Sequence, residues 1–522
     1  MKRYTNLIVL GLLAVAAAAY FVAVKVNFKD VLTSAGYYDE KISIINTADI
    51  HGHIVFDEDT GGYYTLEEVE TIMGMPLMKY FINEIRKKNK DALLLDSGDM
   101  FHGTNEANIE EGKGVVEVAN LMGYDAMTPG NHDFDFGIAR LLKIRSQLNF
   151  PILSANIYKE GRPLFEEYKI FQVRGKKIGV FGLTVQDALS YTNSRETYGV
   201  TLEDPMKAAE RVVPILKKKA DVVILISHLG YDADEALVKR VNGIDLILCG
   251  HYHALYKKVQ RVNNTCLVEA GAYSTHVGVA NIYFKNGKPV TVDWSVKSTR
   301  DKSKADKTVD AVAQKYYAIA MESAKEIVGK STIRLDGVRS HVRSKETNLA
   351  NLLADAMRES GNADIALMNG GGIRESMPEG DISLYRIGKI LPFINSLVTV
   401  RMKGDRICSA IERGLRTYPD GANGSFLQVS GINYEFDASK QAGQRLVNVT
   451  MNGKPLDKSR EYKVATNDYL YNGGDNYEEF EDAVLVSKGG LLKDVLADYI
   501  RSRKEVAPGV EGRIKVVNER YK

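Results

Sequence analysis

The sequence predicts an α/β protein made of a layered first domain, a connecting helix and a second, α+β domain. Three observations carry this. At 522 residues the chain is longer than one hydrophobic core organises, so it divides. Short continuous apolar runs closed by glycine and polar residues recur through the first half, as strands buried on both faces do. Between them lie stretches with apolar residues at spacings of three and four, which read as helices laid on those strands.

The N-terminus opens with Lys2 and Arg3, followed by 21 residues without charge from Tyr4 to Val24. That length is close to the roughly 20 residues needed to span a bilayer and exceeds an ordinary signal-peptide core. The reading is a membrane anchor or a cleaved signal, with the body of the chain exported and residues 25–40 acting as a tether. The body begins at Lys41. Its strand candidates are KISIINTADIHGH, DALLLDSGDMFHG, YDAMTPGNHDFD, DVVILISHLG and IDLILCGHYH. MPLMKYFINEIRKK, GVVEVANLMG and PMKAAERVVPILKKKA are the helices between them. The stretch ANIYFKNGKPVTVDWSVKS predicts a hairpin turning at Asn-Gly, which closes the first domain near residue 300. A charged amphipathic stretch follows and is the connecting helix, residues 301–330. The second domain, 331–522, holds a helix in LANLLADAMRES, a strand with a glycine-rich turn in ADIALMNGGGIR and a helix in GDRICSAIERGLRTY. No internal repeat relates the halves.

Composition narrows the function. A net charge of +2 leaves no basic field for a nucleic-acid polymer. Three cysteines give no disulfide framework, and Cys249, at the end of IDLILC, reads as a buried thiol.

Of nine histidines, seven fall in the five strand-end segments: His51, His53, His102, His132, His228, His251 and His253. Ligands of open α/β sheets bind outside the carboxyl ends of strands, so these segments are expected to converge on one site. Oxygen and imidazole donors without thiolate suit Zn, Mn, Fe, Co or Ni. Two divalent ions bring four positive charges. Asp49 and Asp99 cancel two, a bridging hydroxide a third, and the remainder favours a phosphate dianion.

The blocks Asp49-Ile50-His51-Gly52, Gly98-Asp99, Gly130-Asn131-His132-Asp133, the lone His228 after a strand, and Gly250-His251-Tyr252-His253 occur in order. Together they resemble the calcineurin-like metallophosphoesterases. The resemblance implies two divalent metal ions, Zn, Mn or Co, one held by Asp49, His51 and His253, the other by Asn131, His228 and His251, with Asp99 between them. It also implies that His132 stabilises the transition state or leaving oxygen and that Asp135 orients and charges His132. His53 and His102 are expected around the ligands rather than on the metals, and His276 to pack on a strand.

In the second unit, VRSHVRSKETNLANLLADAMR, NGGGIR, LPFINSL and YLYNGGDNY resemble the C-terminal domain of the 5′-nucleotidase/UDP-sugar hydrolase family, so that the likeness spans roughly residues 41–515. By this resemblance Arg339, Arg343 and Arg374 meet phosphate or the terminal carboxylate-like groups of a substrate through the two-pronged guanidinium. Asn369 and Asn395 hydrogen-bond a nucleoside, Phe393 and Tyr469 sandwich its base, and Asp475 accepts from the ribose. Tyr469 departs from the phenylalanine usual there. The implied activity is release of phosphate from nucleoside 5′-monophosphates by attack of hydroxide on the phosphate. The same machinery in relatives cleaves 2′,3′-cyclic nucleotides, 3′-nucleotides, UDP-sugars or dinucleotide pyrophosphates. A non-catalytic nucleotide-binding surface module would carry damaged metal blocks, and none is damaged. With the site divided between domains, a rotation about a hinge near Gly329–Ser331 is expected.

Overall fold

The alternation of side chains along a strand explains the layering seen in the computed structural model, which describes residues 27–57, 71–186, 188–191, 199–419 and 424–518. In the strand Glu40–Thr47, Ile42 and Ile44 enter one core while Ile45 enters another. Leu93 and Leu95 part from Leu94 in the same way, and Ile224 and Ile226 from Val223 and Leu225. Strands buried on both faces need cover on both sides, and the first domain supplies it as two sheets face to face with helices outside.

The first sheet runs Lys288–Lys297, Val277–Lys285, Glu40–Thr47, Leu93–Asp96, Ala126–Met127. The second runs Gln260–Val262, Thr265–Val268, Leu246–Leu248, Val222–His228, Lys176–Thr184, Tyr168–Val173. Ile42, Leu95, Ile224 and Leu248 meet in the core between the sheets. Helices Gly74–Lys88, Lys113–Met122 and Ile138–Gln147 cover the first sheet, and Pro205–Lys219 and Tyr231–Arg240 the second. The parallel registers Thr47 to Asp96, Asp96 to Met127, Ile226 to Leu248 and Thr184 to His228 set the strand ends along one rim. The hairpin turns at Asn286 and Gly287, both at positive φ (52° and 71°), as a two-residue turn between twisted strands requires.

Three expectations are corrected. Residues 25–40 are not a loose tether over their described part. Phe28–Ser34 is a helix capped by Asn27, and it is docked. Asp30 accepts from Tyr283 Oη at 2.8 Å and pairs with Lys41 at 2.7 Å, and Lys29 reaches Asp293 at 3.2 Å. The apolar run 4–24 lies outside the described residues, among which no helix is long and apolar enough to cross a membrane.

The connecting helix is Lys307–Ser323, shorter than 301–330. Asp306 caps it, accepting from the N–H groups of Thr308 and Val309. Val309, Ala313 and Tyr316 join the core of the first domain, so the helix is part of that domain. Gly114 lies under the Tyr316 ring; a Cβ there would come within 2.7 Å of it. Residues Ile327–Ser331, expected to hold the hinge, form a strand paired with Gly380–Ser383 on one side and Glu505–Val506 on the other. Two ladders fix that segment, and the passage between domains is residues 324–326, where the carbonyls of Ala324 and Glu326 accept from the N–H groups of Tyr385 and Leu384 at 2.9 and 3.0 Å.

The second domain is the expected mixture of helices and largely antiparallel strands. Its five-stranded sheet runs Leu427–Ser430, Ile365–Asn369, Glu461–Asn467, Ser396–Lys403, Val484–Leu491. Helices Asn348–Ser360 and Leu492–Arg503 pack on one face. Gly404–Gly414 and a four-stranded sheet containing Tyr434 and Phe436 pack on the other. Cys249 is a buried free thiol, as expected.

Across the domain boundary, Asn105 Nδ2 donates to the carbonyl of Tyr385 at 2.8 Å and Asn108 Nδ2 to that of Pro392 at 2.8 Å. Tyr385 donates its hydroxyl to Glu106, and Lys389 meets Asp57 at 2.7 Å.

Candidate metal centre and active site

The rim is built from strained backbone. Asp49, His51, Asp99, His251 and His253 all have positive φ, between 47° and 79°. Such conformations cost on the order of 1–3 kcal/mol each and persist only where surroundings over-determine them. Here the surroundings are close backbone approaches. A Cβ on Gly98 would lie 2.6 Å from Gly130 N, and one on Gly130 would lie 2.2 Å from Asp99 Oδ1. Buried Asp133 staples the two loops, its oxygens accepting from the N–H groups of Asp99, Met100, Phe101 and Gly130 at 2.8–3.0 Å. Sequence reasoning gave Asp133 no role, although its place in Gly-Asn-His-Asp was the signal.

Two clusters of donor atoms form on this frame, each within 4.8 Å: Asp49, His51, Asp99 and His253; and Asp99, His228 and His251. Asp99 belongs to both. Its Oδ2 lies 3.4 Å from His51 Nε2 and 3.1 Å from His228 Nε2. Asn131 enters the second cluster with Oδ1 at 3.2 Å from His228 Nε2. His251 donates its backbone N–H to Asp49 at 3.1 Å.

These residues fit metal cations better than they fit one another. His51 Nδ1 faces the carbonyl of His102 at 3.2 Å, so it carries the proton and Nε2 is a bare lone pair. That lone pair faces His253 Nε2 at 3.2 Å. His228 Nδ1 faces the carbonyl of Ser97 at 2.7 Å, which leaves Nε2 directed at two oxygen acceptors, Asn131 Oδ1 and Asp99 Oδ2. Burial holds His51 and His253 well below the usual histidine range, and burial with neighbouring His228 brings His251 down to about 3. Against the opposing effect of burial, Asp99 and Asp49 push His228 up to about 10. Burial raises Asp49 to about 7, with His228 opposing it. Burial alone would raise Asp99 too, but His228, His132 and His51 hold it well below the carboxylate range. Acceptors turned toward acceptors in a buried site require positive charge between them, which a proton on His228 supplies only in part.

Beside the clusters, His132 Nδ1 lies 2.9 Å from Asp135 Oδ2, and its backbone N–H donates to Asp99 Oδ1 at 2.7 Å. Burial opposes protonation of His132, but Asp135 and Asp99 outweigh it and raise its pKa. His102, fully buried, places Nδ1 3.0 Å from the same Asp135 oxygen. Neither His53 nor His102 stands in a cluster with Asp49 or Asp99. His53 packs on the Tyr273 ring at 4.4 Å between centroids. His276 contacts Thr275 Oγ1 at 3.0 Å, just ahead of the strand Val277–Lys285.

The second domain contributes from above. The Phe393 ring lies over His132 at 5.1 Å and 23° and over His102 at 5.7 Å and 16°. Arg374 lies over Phe393 at 5.4 Å and donates from Nε and Nη2 to Tyr273 Oη at 3.0 and 2.7 Å. The charges of Arg339, Arg374 and Arg343 all act with burial to lower the pKa of His253. Further along, Asn369 Nδ2 donates to Asp475 Oδ2 at 3.3 Å and the Asp475 N–H donates to Tyr469 Oη at 2.9 Å. Burial raises the Asp475 pKa, opposed by Tyr469, Arg343 and Arg416. Asn395 is half-buried, and its carbonyl accepts from the N–H of Leu492 at 2.9 Å. Tyr273, which touches His51, His53, His253 and Arg374, is the residue that sequence reasoning missed most clearly.

The family model for calcineurin-like phosphoesterases matches residues 42–255, and that for the 5′-nucleotidase C-terminal domain matches 327–482. Protein UshA of Yersinia enterocolitica is 30% identical over 517 residues, covering 88% of this chain and 90% of that protein. The chain belongs to the 5′-nucleotidase family. Within it, the trifunctional nucleotide phosphoesterase protein YfkN of Bacillus subtilis is 33% identical over 495 residues, 84% of this chain; the chain spans 33% of that protein's length. The crystal structure of a 5′-nucleotidase precursor from Thermus thermophilus superposes with a TM-score of 0.83 at 30% identity, covering 92% of this chain and all of that one. This family member is a metal-dependent phosphoester hydrolase, and its buried Asp and His clusters offer the donors for divalent metal.

Proposed function

We propose that this 5′-nucleotidase family member is an exported enzyme that releases phosphate from nucleoside 5′-monophosphates with two divalent cations, Zn, Mn or Co. The observation that supports it most is the sharing of Asp99 by two donor clusters, with one Oδ2 within 3.4 Å of imidazole nitrogens from both. One cation belongs with Asp49, His51 and His253, the other with Asn131, His228 and His251. When bound, such a pair supplies charge to the phosphate oxygens and lowers the pKa of water.

The chain's own residues do the rest. His132, with Asp135 on its Nδ1, presents Nε2 to the phosphoryl or leaving oxygen and stabilises charge there. Arg339, Arg343 and Arg374 bring cationic donors to the phosphate from the second domain. Phe393 and Tyr469 take the base, Asn369 and Asn395 its polar edge, and Asp475 the ribose hydroxyls. Export rests on the uncharged run 4–24 behind Lys2 and Arg3. The domains before and after residues 324–326 act as the catalytic and recognition domains, and rotation about that passage admits substrate and frees product.

A panel of AMP, 2′,3′-cyclic AMP, UDP-glucose and NAD, each assayed with Mn, Co or Zn, tests the reading. AMP is expected to be turned over best, activity to vanish on chelation and to return with metal. Preference for the cyclic ester or either pyrophosphate would replace 5′-nucleotidase by that activity.

A further inference from the structure

The strain at Tyr273 points beyond this assignment. Tyr273 and Ser274 follow one another at φ of 57° and 55°, conformations that L side chains rarely adopt. The turn is held from several sides. The Tyr273 N–H donates to the carbonyl of Asp49 at 2.8 Å, and the Ser274 carbonyl accepts from Met73 at 3.1 Å. The ring is buried, at 4% exposure, with its edge toward His51 at 5.4 Å and 81° and toward His253 at 5.3 Å and 76°. The hydroxyl faces the other domain, where it accepts from both Nε and Nη2 of Arg374.

We propose that Tyr273 is a positioning residue, a strut that presents the Arg374 guanidinium to the substrate phosphate at the mouth of the metal centre. The inference rests on the phosphate-binding role proposed above for Arg374. A guanidinium has five N–H donors in a fixed plane. Two of them on the phenol oxygen fix that plane, and with it the direction of the remaining donors. The phenol is neutral, so it orients the arginine without spending its charge, which a carboxylate in the same place would neutralise. The ring's place between His51, His53 and His253 ties the arginine's position to the ligands themselves, so phosphate arriving at the cations finds a donor already aimed. A strained backbone over-determined by its surroundings is where such pre-organisation is stored.

The test is a double-mutant cycle on the full chain, loaded with metal, of Tyr273→Phe and Arg374→Ala. Tyr273→Phe keeps the ring against the histidines and removes only the hydroxyl. It is expected to raise KM for AMP about tenfold, the size of a hydrogen bond to a charged group, with kcat and bound metal unchanged. Arg374→Ala is expected to raise KM further, and the double variant to be no worse than Arg374→Ala alone. Unchanged KM in Tyr273→Phe, additivity in the double variant, or a fall in kcat at constant KM would each overturn the proposal. The cycle is run on whichever phosphate ester the wild-type protein hydrolyses. Failure of AMP as a substrate therefore counts against the nucleotide reading alone, and lost coupling against the strut alone.

Discussion

Asp99 is the residue on which most depends, because its Oδ2 stands between two imidazoles of opposed elements and its Oδ1 accepts the backbone N–H of His132. Asp99→Asn keeps the shape and removes the charge. It should lower metal content, measured by plasma mass spectrometry, and reduce kcat by about 10³-fold or more, the scale of a lost electrostatic stabiliser. His132→Ala should reduce kcat by about 10²–10³-fold while leaving metal content at the wild-type level, which separates the two roles. Asp234 offers a pH test. Burial, opposed by hydrogen bonds from Ser227 and Cys249, raises it to about 7, so the folded chain keeps a proton that the unfolded chain loses at about 4. Between those values the folded state binds more protons, and stability falls with rising pH by about 1.4 kcal/mol per unit for this group. In chelated protein, thermal melts of Asp234→Asn against wild type from pH 4 to 7 should show that slope removed. At this scale the residues that gather in the two donor clusters were legible in the sequence because glycine-flanked Asp, Asn and His at strand ends are costly unless they serve a site. Tyr273 was not, since an aromatic after an apolar strand reads as core until its backbone angle and its arginine are seen.

At the scale of elements, the strands and most helices of the first domain were readable because both-face burial writes continuous apolar runs and amphipathic helices write a period near 3.6. The connecting helix shows the limit. Its periodicity continues past Ser323 in the sequence, yet Ile327–Ser331 leaves the helix for two strand partners, Gly380–Ser383 and Glu505–Val506, that lie far along the chain. Local pattern cannot register a partner so distant. The docking of that helix gives a further prediction. Gly114→Ala would place a methyl 2.7 Å from the Tyr316 ring, and should destabilise the protein by about 1–3 kcal/mol, read as a lower Tm, with KM for substrate unchanged. The loops at the rim should be less forgiving. Gly130→Ala pushes directly on Asp99 Oδ1, so its loss should appear in metal binding before it appears in stability.

On the scale of the whole molecule, the two-part design was legible from the change in pattern beyond residue 270, but the way the parts meet was not. The clasp of Asn105, Asn108 and Lys389 joins residues 280 or more positions apart, and sequence alone has no means of pairing them. If rotation about residues 324–326 governs product release, a short crosslink between cysteines at Asn108→Cys and Pro392→Cys should permit one turnover and stop the second, with reduction restoring the rate. Multiple turnover in the crosslinked protein would show that the cleft need not open. The docked helix Phe28–Ser34 has a practical bearing on making the enzyme. A recombinant form begun at Lys41, where the strand pattern starts, would strip the carboxylate of Asp30 from Tyr283 and Lys41 and bare the aromatic face beneath it. Beginning the chain at Asn27 instead keeps that lid in place while omitting the apolar run 4–24, and should yield the better-behaved material for crystallisation and assay.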